Sequence, residues 1–219
     1  MIGVERRGPV GELETRRFCE IYEESFIPGE RDDTAVLLAR VLSGERDCYL
    51  AVDAEHLLGL SVVLPLEGYP IAFLEYLAVA TEARNAGIGG RIIACMRQGL
   101  ADAAKSAAAG VLFEVDPPED ADRGSERELR RRRIAFYQRN GAVIVEGALN
   151  YHAPVMVGDG TLPYLLMWLP AVPGTSAPAG SYLKDCVTAI FVQSYELPED
   201  TPLVRRLVAG LDISALGLR

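Results

Sequence analysis

From Glu12 to Phe26, the apolar residues Leu13, Phe18, Ile21, Tyr22 and Phe26 recur near the spacing of one helical face, and Pro28-Gly29 ends the run. Thr34 to Leu42 repeats the pattern with Leu37, Leu38, Val41 and Leu42, and Ser43-Gly44 closes it. The texture then changes. Cys48 to Val52, Leu57 to Leu66 and Ile71 to Val79 read as three strands, separated by Asp53-Ala54-Glu55 and Glu67-Gly68-Tyr69-Pro70. Connections this short predict an antiparallel meander. A long helix follows from Gly87 to Ala107, opening at a glycine cluster. Val111 to Val115 is a strand stopped by Pro117-Pro118. Ser125 and Glu128 have the spacing of a capping box for a helix that runs to Asn140-Gly141. Ala142 to Val145, then Tyr151 to Met156 and Leu162 to Trp168 around a Gly158-Asp159-Gly160 turn, complete the sheet.

A composition shift divides the chain. Pro170 to Gly180 is rich in Pro, Gly and Ala and reads as a linker. Beyond it, Leu183, Cys186, Val187, Ile190 and Phe191 form one helical stripe, and Thr201-Pro202 starts a last helix carrying Leu203, Leu207 and Leu211. The expected organisation is an α/β (α+β) domain over 1–170, a linker over 171–180 and a helical extension over 181–219. Two roles suit the extension: capping a sheet edge or dimer surface, or covering a substrate pocket.

Composition excludes more than it identifies. A hydrophobic fraction of 49% in 219 residues excludes a disordered chain. A net charge of −9 argues against binding duplex DNA or an anionic membrane, which calls for a basic face. The four cysteines are dispersed and the two histidines, His56 and His152, lie far apart, so neither a metal site nor a disulfide framework is expected. The N-terminus shows no apolar signal segment, and apolar stretches such as Leu162 to Val172 fall short of the roughly 20 residues of a membrane helix. The expectation is a cytoplasmic protein with reduced thiols.

The most informative segment is Glu75 to Gly90. A strand ending at Val79 passes into a helix through Arg84-Asn85-Ala86-Gly87-Ile88-Gly89-Gly90. Glycines at a helix N-terminus leave amides uncovered in a partly positive field, which makes an anion site without basic side chains. The Lys-Ser/Thr of a P-loop and the full G-x-G-x-x-G of a dinucleotide fold are both missing. Arg84-x-x-Gly87-x-Gly89 after Leu77-Ala78-Val79 resembles the acyl-CoA signature of the GNAT superfamily of N-acyltransferases. Ile134 to Gly141 (IAFYQRNG) is similar to that family's second signature, a helix ending in a Leu-Tyr…Gly-Phe pattern. The order of elements agrees over residues 10 to 170.

The resemblance implies a mixed, mostly antiparallel sheet flanked by helices, and acetyl-CoA as cosubstrate. It places backbone groups of Leu77, Ala78 and Val79 against pantetheine, and the amides of Asn85, Ala86, Gly87, Ile88, Gly89 and Gly90 on the pyrophosphate. Arg84 helps close the loop. Tyr137 matches the general acid beside the cofactor sulfur; the plainer reading is a ring packed in the core with its hydroxyl hydrogen-bonded. Two departures stand out: Arg130 and Arg133 occupy positions where the family often has Asn and a small residue, and Ala142 follows Gly141 where an aromatic is usual.

Acyl transfer to an amine needs a base as well, because a protonated amine is not a nucleophile. Glu75 is the first candidate. Strict alternation puts it on one strand face with Phe73, Leu77 and Val79, where a carboxylate rarely lies without a partner or a task. Glu114 poses the same question on the next strand, and the two carboxylates are expected to hold a cationic amine. For both, the alternative is a structural salt bridge to Arg. Arg130 is a candidate for a coenzyme A phosphate, against its i,i+4 ion pair with Glu126. His152 is a further candidate for the acceptor side. Cys95 reads as core. The expected partner is a small-molecule or peptide amine, with no nucleic acid and no membrane, and with a homodimer left open as one arrangement of the chain. A non-catalytic acyl-CoA sensor on the same scaffold and an unrelated nucleotide-phosphate module are the competing functions.

Overall fold

The computed structural model describes residues 2–54, 56–102, 109–155 and 160–211. The end of the helix expected to reach Ala107, the strand end at Met156, the turn residues Gly158-Asp159 and the last eight positions of the extension lie outside them. Two compact units emerge: residues 1–65 with 72–108, and residues 66–71 with 109–219.

The first unit holds β1 (Ile2–Arg6), α1 (Gly11–Ser25), α2 (Thr34–Ser43), β2 (Asp47–Asp53), β3 (His56–Pro65), β4 (Ala72–Val79) and α3 (Ile88–Asp102). Its strands run in the order β1-β2-β3-β4, every neighbour antiparallel. The expected meander is therefore present, with β1 added at its outer side. β1 has only Ile2 and Val4 as apolar alternation, too little to stand out in sequence. Pairing from Ile2↔Asp53 to Arg6↔Tyr49 holds it, helped by Arg6 on both Asp47 oxygens at 2.7 and 2.9 Å.

One sheet face carries Cys48, Leu50, Leu60, Val62, Tyr76 and Ala78 against Phe18, Ile21 and Tyr22 of α1 and Leu37 and Val41 of α2. The helical stripes are narrower than their sequence pattern: Leu13 and Leu42 are 78% and 58% exposed. Asp33 caps α2 by accepting from the amides of Ala35 and Val36, and Gly44 ends it in the left-handed region at φ 80°. α3 packs on strands β1 to β4 through Ile88, Ile92, Ile93, Met96 and Leu100.

The second unit contains β5 (Gly110–Val115), α4 (Gly124–Arg139), β6 (Val143–Ile144), β7 (His152–Pro154), β8 (Thr161–Pro163), β9 (Leu165–Pro170), α5 (Gly180–Gln193) and α6 (Pro202–Ala209). Strand β9 lies between β5 and β6, antiparallel to both, and β7 and β8 form a separate antiparallel pair. The capping box at Ser125 is not used. α4 begins one residue earlier, with Arg123 as a flanking residue that caps nothing. The Arg127 guanidinium holds the entering loop instead, donating to the carbonyls of Pro118 and Ala121 at 3.2 and 3.3 Å.

The C-terminal stripe is buried as its spacing predicts, at Leu183, Cys186, Val187, Ile190 and Phe191. α5 and α6 belong to the same compact unit as β5 and β9. The proline-rich stretch folds back as well, since Trp168 Nε1 donates to the Thr175 carbonyl at 3.1 Å. Gly110 permits the close approach of β9, because a Cβ there would meet the Leu169 carbonyl at 2.4 Å and the Trp168 ring at 2.6 Å. We expect Gly110→Ala to destabilise this unit by about 1–3 kcal/mol. Urea unfolding followed by Trp168 fluorescence checks this, and an unchanged midpoint would contradict it.

Candidate active site

Strand β4 is not regular. Val63 pairs with Leu74 and Val62 with Tyr76, so Glu75 is the extra residue of a bulge. The insertion reverses the alternation. Phe73, opposite Leu64, therefore shares the Val62 and Tyr76 face, whereas Leu77, opposite Ser61, lies on the other. The single face expected for Phe73, Glu75, Leu77 and Val79 does not exist, because strict period-two reading cannot see an inserted residue.

Glu75 is also occupied. Its Oε2 accepts from Arg46 Nε at 2.9 Å, with the two side chains 3% and 2% exposed. Arg46 reaches Glu45 as well, at 2.9 Å. The alternative of a structural ion pair is what the geometry shows at this carboxylate.

After β4 the chain makes a 3₁₀ turn at Thr81–Ala83 and reaches α3 through Asn85 at φ 65° and Gly87 at φ 76°, both left-handed. Such a turn points successive amides outward before the helix begins, and the first amides of α3 have no intrahelical acceptor. Arg84, Asn85, Ala86 and Gly87 are exposed, Gly89 and Gly90 half-buried, and Ile88 anchors the helix start in the core. Arg84 Nε donates to the Val79 carbonyl at 3.3 Å, and Arg17 of α1 pairs with Glu82. The loop is thus tied at both ends within its own unit. Leu77, Ala78 and Val79 form the strand end that leads into it, Ala78 buried and the other two half-buried.

In the second unit, the Tyr137 ring packs on Phe113 and Phe136 with centroids 4.4 and 5.2 Å apart, and the residue is 8% exposed. The ring is core, as the plainer reading has it, but the hydrogen bond that reading expects at the hydroxyl is not formed among the described residues. Burial pushes the phenol up to about 12, opposed by Arg133. Glu114, half-buried on β5, accepts Tyr151 Oη–H on one oxygen and Tyr195 Oη–H on the other, the latter at 2.6 Å. Burial raises its carboxyl to about 7, while the two hydroxyl donors pull it down. The salt bridge to Arg foreseen as its alternative is not formed among the described residues. Tyr195 was not legible as a site residue; nothing in its local sequence ties it to Glu114.

Arg130 donates to the Pro117 carbonyl at 3.0 Å and pairs with Glu126, so its guanidinium secures the loop before α4. His152 is exposed on β7, opposite Pro163. Cys95 is half-buried, with its thiol directed at the Val4 carbonyl. Among the described residues no group of three or more His, Cys, Asp or Glu side chains is placed to hold a metal, and no helix is long and apolar enough to cross a membrane.

No protein-family model matches the chain. It is 27% identical over 114 residues to a Bacillus subtilis (strain 168) protein named "Putative acetyltransferase YjbC", which is 52% of this chain and 50% of that one. The chain thus spans about half the length of this curated relative. Among solved structures, a GNAT-family protein from Bacteroides thetaiotaomicron superposes with a TM-score of 0.64 at 21% identity, covering 90% of this chain and 99% of the other. An aminoglycoside 6'-N-acetyltransferase complexed with coenzyme A superposes with a TM-score of 0.60 at 18% identity, covering 80% and 99%. With its antiparallel strands, its flanking helices and the glycine loop that follows the bulged strand, the chain has the fold of the GNAT-family acetyltransferases.

Proposed function

We propose that the protein is an acetyl-CoA-dependent N-acetyltransferase that moves the acetyl group directly to a bound primary amine. The observation that carries this reading is the loop from Arg84 to Gly90. Its two left-handed residues and the α3 N-terminus build an anion cradle directly after a bulged strand. The solved coenzyme A complex of a protein with this fold supports the choice of cofactor. The amides of Asn85 to Gly90 would hold the pyrophosphate. Backbone groups of Leu77, Ala78 and Val79 would meet pantetheine, with Arg84 bracing the strand end. Acetyl-CoA supplies the thioester.

The amine nitrogen attacks the thioester carbonyl, the C–S bond breaks, and the amine proton must go elsewhere. Glu75 is badly placed to take it, because its Oε2 is already engaged by Arg46 in a buried pair. Glu114, at about 7, is poised to accept a proton near neutral pH, and we transfer the role of base to it. Tyr137, at about 12, stays protonated and donates a hydrogen bond to the departing sulfur. Full transfer to a thiolate of ordinary pKa about 8.5 would run uphill by about 3.5 units, or about 5 kcal/mol, so the hydrogen bond is the contribution.

Calorimetric titration of ligand-free, folded protein with acetyl-CoA, beside ATP and NAD, tests the reading. Selective binding in the micromolar range is the expected result, and no binding of acetyl-CoA or coenzyme A overturns it. Tyr137→Phe is expected to lower kcat about 100-fold, the lower end for acid-base groups, with acetyl-CoA affinity unchanged. Equal kcat for the variant and the parent would remove Tyr137 from the mechanism.

A further inference from the structure

We propose that Glu114, Tyr151 and Tyr195 form a recognition site for an organic ammonium group, with the segment after α5 supplying Tyr195 as its specificity-determining residue. The proposal rests on the acyltransferase reading, in which that ammonium belongs to the acceptor. Glu114 carries the argument. A carboxylate inside a protein is normally matched by a cation. Among the described residues none is within ion-pair distance of it, and what surrounds it is aromatic. Tyr151 and Tyr195 each donate to a different carboxylate oxygen. Phe191 stacks on Tyr151 with centroids 6.0 Å apart and meets Tyr195 edge-on at 5.9 Å.

Two hydroxyl donors leave lone pairs on both oxygens open, since a carboxylate accepts at about four positions. Aromatic faces beside a carboxylate attract a cation and offer an anion nothing. Burial is graded across the cluster as a site requires. Phe191 and Tyr151 are 0% and 2% exposed, whereas Glu114 and Tyr195 are half-buried. The chain end of α5 is built to hold Tyr195 there. The amides of Ser194 and Tyr195 both bond to the Ile190 carbonyl, at 2.9 and 3.3 Å, and the Leu197 amide reaches the Phe191 carbonyl at 3.0 Å. Of the two roles open to the C-terminal extension, this geometry favours shaping the acceptor site.

Charge recognition here depends on pH with a definite sign. The groups that face Glu114 are the Tyr151 and Tyr195 hydroxyls, and Tyr164 acts on Tyr151. Below about 7 the carboxyl is neutral and cannot pair with an ammonium; above it the charge is present. Affinity for the cation should therefore rise as pH increases from 6 to 8.

The test uses the full chain and two probes, benzylammonium and 1,4-diaminobutane, titrated calorimetrically in the presence of coenzyme A. We expect the parent protein to bind at least one probe, Glu114→Gln to weaken it at least 10-fold, and Tyr195→Phe to weaken it several-fold. Acetyl-CoA affinity should hold in both variants. The rise with pH should vanish in Glu114→Gln, whose carbonyl oxygen accepts from one tyrosine while its NH2 donates to the hydroxyl oxygen of the other, which separates charge loss from misfolding. Equal probe affinity in Glu114→Gln and parent overturns the proposal, as does failure of both probes to bind a parent that binds acetyl-CoA. Probe binding that depends on Glu114, in a protein that does not bind acetyl-CoA or coenzyme A, would uphold the ammonium site and sink the acyltransferase reading instead.

Discussion

Arg46→Met is expected to lower the free energy of unfolding by about 3–5 kcal/mol, the usual result of removing one partner of a buried ion pair. The side chains of Arg46 and Glu75 are 2% and 3% exposed, so neither charge has water to fall back on. Loss of the guanidinium removes the counter-charge from a carboxylate buried at the bulge of β4. The attraction itself is not what makes the effect large, because burying both ions already costs about as much as their pairing returns. The double variant Arg46→Met/Glu75→Leu should therefore recover most of the loss. Surface pairs behave differently: Arg16–Glu12, with side chains 61% and 86% exposed, should contribute about 0–1 kcal/mol. Urea unfolding followed by circular dichroism measures all three. A double variant as unstable as Arg46→Met would show that the pair is needed for more than charge balance.

Gly87→Val is expected to reduce acetyl-CoA affinity at least 10-fold, with Gly87→Asn close to the parent. Gly87 sits at φ 76°, where a β-branched residue is a strong outlier and asparagine is tolerated, as Asn85 at φ 65° demonstrates. A Cβ at Gly87 meets no atom within 4 Å, so the penalty is one of backbone conformation and not of collision in the folded loop. Valine would relieve its strain by re-aiming the amides that the anion needs. Calorimetry with acetyl-CoA reads the outcome. Loss of binding in Gly87→Asn as well would mean that the cofactor approaches this backbone too closely for any side chain, and equal binding by Gly87→Val would remove the left-handed turn from recognition.

Much of the fold could be read locally. Strand β5 and helix α5 follow from short-range pattern, and the α2 stop follows from Gly44. The miss at β1 and the surplus of Leu13 and Leu42 have one cause. Ile2 and Val4 become a strand only because β2 offers them a partner, while Leu13 and Leu42 lie at the margin of a stripe whose width the facing sheet sets. Ser125 failed as a cap because Arg127 and Arg130 fix the loop before α4 through carbonyls that no spacing rule connects to them.

For the candidate site the division is sharper. A glycine-rich loop between strand and helix is a contiguous feature, so the turn from Arg84 into α3 was legible in adjacent residues. The carboxylates were not. Glu75 and Glu114 present the same local text, a lone acid among apolar neighbours on a strand. What separates them is the company folding supplies: Arg46, twenty-nine positions before Glu75, and Tyr195, eighty-one positions after Glu114. Proton affinity is a property of such surroundings, because burial and neighbouring charge, not residue type, decide whether a carboxyl is a fixed anion or a titrating base. Backbone conformation is written in adjacent residues; the partners of a buried charge are written only in the folded chain.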